Sequence, residues 1–300
     1  MAANVRIGTS GYSFRDWVGT VYPDGTRASD MLRIYARDFD VVEINFTYYR
    51  DPTPEIFERM LRKVDSDFEF VVKAPSGVTH ERDAVAPVIR SFVTALKPLV
   101  EAGQLGGVLA QFPQSFHHDA SAVEYLKQLA YAFPLDAIPM HAEFRHDSWT
   151  GEDVHAALRS IGFGAVNVDL PPLPALPRPS AVLTNDVGYV RLHGRNADQW
   201  HNPNAGGRRY DYLYTDEELG EWSTRIDAML PDARKVYVFT NNCHKGSSFV
   251  NALRLKQSFD QPVRSEAEAN GTLFASPDPA DRIRALTQRV EAARAAEANS

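Results

Sequence analysis

The sequence predicts an α/β protein built as a single (β/α)8 TIM barrel. Short apolar runs recur along the chain, and each is followed, after a polar loop, by a longer segment with helical periodicity. Eight such runs are present: Val5–Thr9, Asp40–Asn45, Phe68–Lys73, Gly107–Phe112, Pro139–Arg145, Gly164–Asp169, Gly188–His193 and Lys235–Asn241. Eight parallel strands joined by right-handed crossovers close most economically into a barrel. An open doubly wound sheet is the competitor, but the first turn, Gly8–Gly11, lacks its Gly-x-Gly-x-x-Gly spacing.

Start signals and apolar stripes predict the helices between the strands. Thr53 precedes a proline at a first helical position, and Thr215 to Glu218 is a capping box. Further helices are predicted over residues 29–38, 84–102, 121–133, 151–161 and 246–259. Five prolines between Leu170 and Ser180 exclude a regular helix from the connection between the sixth and seventh strands. We therefore expect an irregular crossover there.

Composition and length limit the class of protein. The 300 residues are 44% hydrophobic and 24% charged, which is ordinary for a globular chain. A net charge of −7 disfavours binding to nucleic acid or an anionic membrane through the whole surface. A single cysteine, Cys243, excludes an internal disulfide and a multi-cysteine metal site. The absence of a signal peptide or of a long apolar segment favours a cytoplasmic protein without membrane association.

The domain organisation follows from the same pattern. Residues 1–260 are predicted to form the barrel domain. Residues 261–300 are predicted to form a C-terminal extension, in which a loop up to Pro279 precedes an amphipathic helix. The stripe of that helix is Ile283, Leu286 and Val290. No oligomeric state is predicted.

Polar residues gather at the carboxyl ends of the predicted strands, where active sites of TIM barrels lie. Glu43 with Asn45, Glu143 with Arg145, Asn167 with Asp169, and Arg191 with His193 each lie two residues apart, so both members of a pair leave the same strand face. Lys73, Gln111, Asn241 and Asn242 end three further strands. If these pairs point inward, the mouth holds the groups that general acid–base chemistry requires. A structural role is the alternative, because buried Glu–Arg pairs also fix barrel rims.

Each candidate has an expected role. Glu43, Asp169 and His193 are candidates for the acid and the base, because carboxylates among like charges and imidazoles can titrate near neutral pH. The cations at the strand ends would stabilise developing negative charge, and the amides would orient the substrate. The cations are Lys73, Arg145 and Arg191, and the amides are Asn45, Gln111 and Asn241; Glu143 completes the catalytic set.

Two loops after the seventh and eighth strands suggest an anion site. Arg195 follows the seventh strand, and Lys245 precedes the helix that begins near Gly246. Free backbone N–H groups at a helix start favour a phosphate, although an ordinary helix start with an exposed lysine fits as well. The long intervening loop, residues 196–214, contains Trp200 and Tyr210 and is predicted to form a substrate lid or to pack on the rim.

A divalent metal ion is an alternative that we do not adopt. Glu143, Asp169 and His193 end neighbouring strands and offer the oxygen and nitrogen ligands that manganese, magnesium or zinc accept. Arg145 and Arg191 count against it because they can already neutralise those carboxylates. No divalent metal is therefore predicted, and the identity of any cofactor stays open.

Several short motifs, taken in order, resemble the domain-of-unknown-function family 72, the YecE-like TIM-barrel proteins. They are Ile7–Tyr12 with Trp17 and Tyr22-Pro23, Val42–Arg50, Val72–Ala74 with Thr79-His80, Gln111–Pro113, Glu143–Trp149, Arg191–Gly194, and Asn241-Asn242 before Asn251–Leu253. The candidate substrate-binding residues Ser10, Tyr49, His80 and Asn242 lie within them. Tyr12 stands where the family usually has tryptophan, and Thr240 where it usually has phenylalanine. The resemblance implies a TIM barrel like those of xylose isomerase and endonuclease IV, but no established reaction.

These observations lead to one expected function and two alternatives. We expect an enzyme that hydrolyses or isomerises a phosphorylated or otherwise anionic, sugar-like or nucleotide-like substrate by acid–base chemistry. The first alternative is a metal-dependent hydrolase or nuclease using Glu143, Asp169 and His193. The second is a non-catalytic barrel that binds nucleic acid or protein through Arg208 and Arg209 in the long loop.

Overall fold

The computed structural model describes residues 4–83, 85–202, 204–270 and 276–298 and contains the predicted parallel barrel. Its strands are β1 (Asn4–Thr9), β2 (Val41–Ile44), β3 (Glu69–Lys73), β4 (Leu105–Gln111), β5 (Met140–Glu143), β6 (Gly164–Asp169), β7 (Val187–Leu192) and β8 (Lys235–Thr240). From β2 to β8 each strand pairs in parallel with the next, and β1 pairs in parallel with β8. A single bridge between Ser10 and Glu43 joins β1 to β2 and completes the ring. The TIM-barrel prediction is confirmed.

Helices follow most of the strands and cover the outside of the barrel. They are α1 (Ala28–Tyr35), α2 (Pro54–Leu61), α3 (Val85–Glu101), α4 (Ala120–Ala132), α5 (Glu152–Ile161), α6 (Ala197–Trp200), α7 (Asp216–Met229), α8 (Ser247–Ser258), α9 (Glu266–Asn270) and α10 (Pro279–Ala298). The capping box at Thr215 is present. Thr53 makes no capping hydrogen bond, although α2 begins at Pro54 as predicted. The segment predicted as loop before Pro279 contains the short helix α9, and the proline-rich connection after β6 has no helix, as predicted.

Alternation along the strands divides the buried residues into two sets. The inward positions below the mouth are filled by Val41, Val71, Leu109, Val187, Tyr189, Tyr237 and Phe239, which pack together inside the barrel. The outward positions, such as Val42, Val72 and Val108, pack against the surrounding helices. Because inward residues continue at every second position, the next layer toward the carboxyl end places the polar strand ends inside the ring.

Strand β6 does not follow the predicted alternation. Val166 packs with the interior cluster, and Val168 is the register partner of Arg191, which points inward. Asp169 is instead paired in register with Leu192, whose side chain packs in the outer core. Residues paired in register share a face of the sheet, so Asp169 points away from the barrel interior. Asn167 shares that outward face and bonds to Ser180 and Val182 of the crossover.

Helix α10 packs against α8 and forms an ion pair with the barrel domain near each of its own ends. Ile283, Leu286 and Val290 are buried, as the predicted stripe requires. At one end of the helix, Arg282 forms a buried ion pair with Asp38 at 2.6 Å. At the other, Arg294 pairs with Asp211 of the loop over the barrel mouth. No helix among the described residues is long and apolar enough to cross a membrane.

Candidate active site

Arg191 lies at the centre of the polar layer and connects two carboxylates. Its Nε donates to Oε2 of Glu43 at 2.9 Å and its Nη2 donates to Oε1 at 2.7 Å. Its Nη1 donates to Oε2 of Glu143. Tyr189 donates its hydroxyl to Oε2 of Glu43 at 2.6 Å, and Asn45 donates to Oε1 at 3.0 Å. The Glu43 carboxylate is therefore fully engaged and buried.

Glu143 is the second buried carboxylate and is surrounded by cations. Arg145 donates its Nε to Oε1 of Glu143, while Arg191 donates to Oε2. Burial opposes ionisation of Glu143, but these two guanidinium groups outweigh it and hold its pKa well below the usual value. Glu143 is thus a permanent anion and a poor proton donor at neutral pH.

His193 lies buried against the same carboxylate. Its Nε2 is 3.2 Å from Oε1 of Glu143, and its Nδ1 is 2.7 Å from Nδ2 of Asn241. With the amide in this orientation, Asn241 donates to Nδ1 and the ring proton resides on Nε2, facing Glu143. Burial and the nearby Arg145 lower the pKa of His193 to about 3, although Glu143 opposes that shift. His193 is therefore a neutral hydrogen-bonding group.

Lys73 approaches the layer from β3 with a different environment. Its Nζ donates to Oε1 of Gln111 at 2.8 Å and lies 4.3 Å from the ring centre of Tyr48. Burial lowers the pKa of Lys73 to about 7, and Arg191 shifts it in the same direction, whereas Glu143 opposes. Because this pKa coincides with neutral pH, Lys73 can both donate and accept a proton.

His80 stands beside this lysine but outside the layer. Its ring contacts Tyr48, and its Nδ1 is 2.9 Å from the hydroxyl of Thr79. Burial and the charges of Lys73 and Arg145 lower its pKa to about 4. The neutral ring of His80 therefore adds no charge to the mouth.

A cavity of about 660 Å³ opens directly above the polar layer. Nine of the predicted site residues line it: Ser10, Asn45, Tyr49, Lys73, Gln111, Arg145, Arg191, Tyr210 and Asn241. Glu43, Glu143 and His193 lie buried around and beneath them. The volume falls within the range of small-molecule sites, and strand ends supply its polar floor.

The loop between β7 and α7 covers one side of this cavity. The Trp200 and Tyr210 rings each lie 6.4 Å from the His193 ring, and the guanidinium of Arg145 lies 5.7 Å from the Trp200 ring centre. Asn242 is buried below the loop and donates to the backbone oxygen of Tyr212 at 2.6 Å. The predicted lid segment therefore packs on the rim at the mouth, and Asn242 holds its backbone rather than lining the cavity.

Two predicted residues are located outside the mouth, between the barrel and α7. Arg195 donates its Nε to both carboxylate oxygens of Asp169, at 3.0 and 3.2 Å, and also pairs with Glu218 and Glu221. Burial raises the pKa of Asp169, although Tyr214 and Arg195 shift that pKa in the opposite direction. The predicted roles of Asp169 as acid or base and of Arg195 as anion ligand are wrong in this geometry, because β6 turns Asp169 outward and three carboxylates occupy Arg195.

The predicted anion site before α8 also differs in the structure. The Nζ of Lys245 pairs with Glu297 of α10 at 2.7 Å, and its backbone N–H donates to Asp16. Ser247 and Ser248 at the start of α8 are buried. Lys245 is thus balanced by the C-terminal helix, a segment that strand-end reasoning does not take into account.

The alternative metal site is not assembled. Glu143 and His193 are adjacent, but Asp169 lies on the opposite face of the wall. Across the described ranges, no three histidine, cysteine, aspartate or glutamate side chains come together in a way that could hold a metal ion. Two guanidinium groups occupy the oxygens of Glu143, so this donor set does not fit a divalent cation.

Sequence reasoning missed one wall of the cavity. Phe14 and Phe46 from the loops after β1 and β2, with Ile56 and Met60 from α2, form an apolar side. The sequence analysis also did not include Tyr189, which lies two residues before Arg191 on the same inward face. Because strand residues two apart share a face, the spacing that paired Arg191 with His193 also predicts an inward position for Tyr189. The apolar side had no sequence signal, because helices and loops distant in the chain combine to form it.

Comparison with known proteins places this architecture in a family. The sequence profile described as "Protein of unknown function DUF72" matches residues 6–272. The chain belongs to the DUF72 family. The UPF0759 protein YunF of Bacillus subtilis (strain 168) is 27% identical over 272 residues, covering 85% of this chain and 95% of YunF. The UPF0759 protein YecE of Escherichia coli (strain K12) is 28% identical over 160 residues, covering 52% of this chain and 58% of YecE.

Solved structures of DUF72 proteins share the barrel. A family member from Thermotoga maritima MSB8 is 40% identical with a TM-score of 0.80, covering 86% of this chain and 100% of that one. A member from Enterococcus faecalis V583 is 27% identical with a TM-score of 0.77, covering 86% of this chain and 96% of that one. Helix α10 begins after the residues that the DUF72 profile matches.

Proposed function

We propose that this DUF72 protein is an enzyme that moves a proton on an anionic, sugar-like or nucleotide-like small molecule bound at the barrel mouth. The observation that supports the proposal is the position of Lys73, which lines the cavity beside Arg145 and has its Nζ held by Gln111. Hydrolysis and isomerisation both need such a group, because each transfers a proton to or from a reacting oxygen or carbon.

The charge balance of the mouth favours an anion. The cations Lys73, Arg145 and Arg191 face the carboxylates Glu43 and Glu143, while His193 is neutral. A protonated Lys73 therefore leaves one positive charge in excess. Arg191 uses its donors on the carboxylates, so Arg145 and the Lys73 ammonium, which line the cavity, are the groups that support anion binding. In a site shielded from water, such an attraction is stronger than at an exposed surface.

Lys73 is a better candidate for the acid–base group than the residues predicted from the sequence. Glu43 accepts four hydrogen bonds, and Glu143 is held ionised by two guanidinium groups. The pKa of His193 is about 3, so its imidazole stays neutral across the physiological range. We assign these three residues the role of positioning Arg191, Arg145 and Asn241.

Turnover measurements test this proposal. The protein would be incubated with a panel of sugar phosphates and nucleotides, and product formation followed by phosphorus NMR. Lys73→Met should reduce turnover of an identified substrate by about a hundredfold or more, the usual contribution of general acid–base catalysis. Lys97→Met, on an exposed position of α3, is the matched control. Unchanged turnover in Lys73→Met would contradict the assignment, and tight binding without turnover would favour a binding protein.

A further inference from the structure

The cavity at the mouth has two chemically different ends. The floor is polar and cationic, with Lys73 and Arg145 at the strand ends. The side toward α2 is apolar and aromatic: Tyr12, Phe14, Phe46, Tyr49, Ile56 and Met60 line it. A substrate that filled only the polar floor would leave the apolar and aromatic side chains in contact with water. The shape therefore matches a ligand with a charged part and an apolar part.

Tyr49 is the most informative residue of the aromatic side. It is 83% exposed, which is unusual for a large aromatic residue, and it stands at the rim of the cavity rather than on an open helix face. Its ring packs edge-on against Tyr48, with ring centres 4.9 Å apart. Tyr48 in turn lies against the Lys73 ammonium. Tyr49 is thus supported on one side by a residue that contacts the polar floor, while its ring is open to solvent.

Phe46 extends the same aromatic side. It is part-buried, and the guanidinium of Arg50 lies 4.8 Å from its ring centre. Arg59 of α2 and Lys63, just after that helix, also line the cavity. The aromatic side is therefore bordered by positive charge, from the cations of the floor and from these three side chains, which suits a flat π-system that belongs to an anionic molecule.

We infer that the substrate carries a flat aromatic ring that lies against Tyr49 and Phe46, joined to an anionic group that Lys73 and Arg145 bind. A nucleoside monophosphate is the simplest molecule of this class. The binding of the anionic group rests on the proposed function. The aromatic ring is the new part of the inference, and it favours a substrate with a nucleobase over a simple sugar phosphate. The cavity of about 660 Å³ has room for a molecule of that size.

Calorimetric binding tests the inference without requiring turnover. AMP, UMP, ribose 5-phosphate and inorganic phosphate would be titrated into the protein at one fixed pH. We expect at least one of the two nucleotides to bind about tenfold or more tightly than ribose 5-phosphate, the order of magnitude of one base stacked on an aromatic side chain. Tyr49→Ala should remove that advantage, and Tyr49→Phe should retain it.

Matched controls keep the outcomes distinct. Tyr131→Ala changes a tyrosine on α4 that is 96% exposed and does not line the cavity, so it should leave all affinities unchanged. Equal affinities for the nucleotides and ribose 5-phosphate, or an unchanged advantage in Tyr49→Ala, would overturn the inference. So would the absence of nucleotide binding, or tighter binding of a deoxythymidine decamer than of either nucleotide.

Different results would reject the inference and the proposed function. Lys73-dependent turnover of ribose 5-phosphate without a nucleotide advantage would reject the aromatic ring and leave the proposed function intact. A Tyr49-dependent nucleotide advantage without any turnover would support the ring site and reject the enzyme.

Discussion

Arg191 and Glu43 form a bidentate ion pair inside the barrel, with two N–H···O hydrogen bonds of 2.7 and 2.9 Å and both side chains buried. The pair joins β7 to β2 across the ring. Both charges are out of contact with water, so each is stabilised mainly by the other. Removing either partner leaves an uncompensated buried charge. The pair therefore fixes the floor on which Lys73 and Arg145 are arranged.

Removal of one partner should strongly destabilise the fold. Arg191→Met leaves Glu43 and Glu143 without their shared cation, and we expect a loss of about 3–5 kcal/mol in the free energy of unfolding, measured by urea denaturation. Arg234→Met breaks the exposed pair with Asp186, in which both side chains are 61% exposed, and should cost at most about 1 kcal/mol. Similar losses in the two variants would show that burial does not govern the contribution of the Arg191 pair.

Stability should fall on acidification because of histidines held neutral in the fold. His141 is buried inside the barrel beside Tyr189, and burial lowers its pKa from 6.5 to about 4. The neutral ring is favoured in the folded state, so its contribution is fully present above about pH 6.5 and is lost as the pH falls toward 4. The shift corresponds to about 3 kcal/mol. His193 acts in the same direction.

Urea unfolding between pH 4 and pH 7 tests this expectation. His141→Leu should flatten the dependence of unfolding free energy on pH, whatever its effect at pH 7. His117→Leu, the same substitution at an exposed position, is the control. An equally steep slope in His141→Leu would mean that other groups cause the acid sensitivity.

The sequence predicted the barrel because its signal is local and repeated. Each strand is an apolar run and each strand end is polar, so the pairs at Glu43, Glu143 and Arg191 could be assigned to one face from a period of two. The rule failed on β6, where Val166 and Val168 take the inward positions and Asp169 turns outward. Period two defines which residues share a face, but not which face is inside when both faces are buried.

The prediction that Arg195 and Lys245 bind an anion failed for a different reason. Arg195 pairs with Glu218 and Glu221 of α7, and Lys245 pairs with Glu297 of α10. These glutamates lie 23 to 52 residues after the cations that they pair with, and no spacing in the sequence predicts these contacts. Phe14, Phe46, Ile56 and Met60 were missed for the same reason, because α2 and the loops after β1 and β2 combine only in the folded chain.

Anion binding should be accompanied by proton uptake at Lys73. The pKa of its ammonium is about 7 in the free protein, and a bound anion raises the pKa because it favours the charged form. Affinity for sulfate, which does not titrate in this range, should therefore fall as the pH rises from about 7 to 9. Calorimetry in buffers of different ionisation enthalpy should detect the uptake at pH 7.5. Lys73→Met should abolish both effects, and their persistence in that variant would assign the proton to another group.

Helix α10 should restrain the loop over the mouth. Arg294 pairs with Asp211 in that loop, and Glu297 pairs with Lys245 beside it. Because these pairs are partly exposed, each contributes modestly, so the double variant Arg294→Ala with Glu297→Gln should speed amide exchange in residues 204–214 by a few-fold rather than unfold the loop. Arg289→Ala, also on α10, breaks a pair with Glu266 of α9 and is the control. Equal exchange in the double variant and the control would mean that the loop is held by its own contacts, such as the bond from Asn242 to Tyr212.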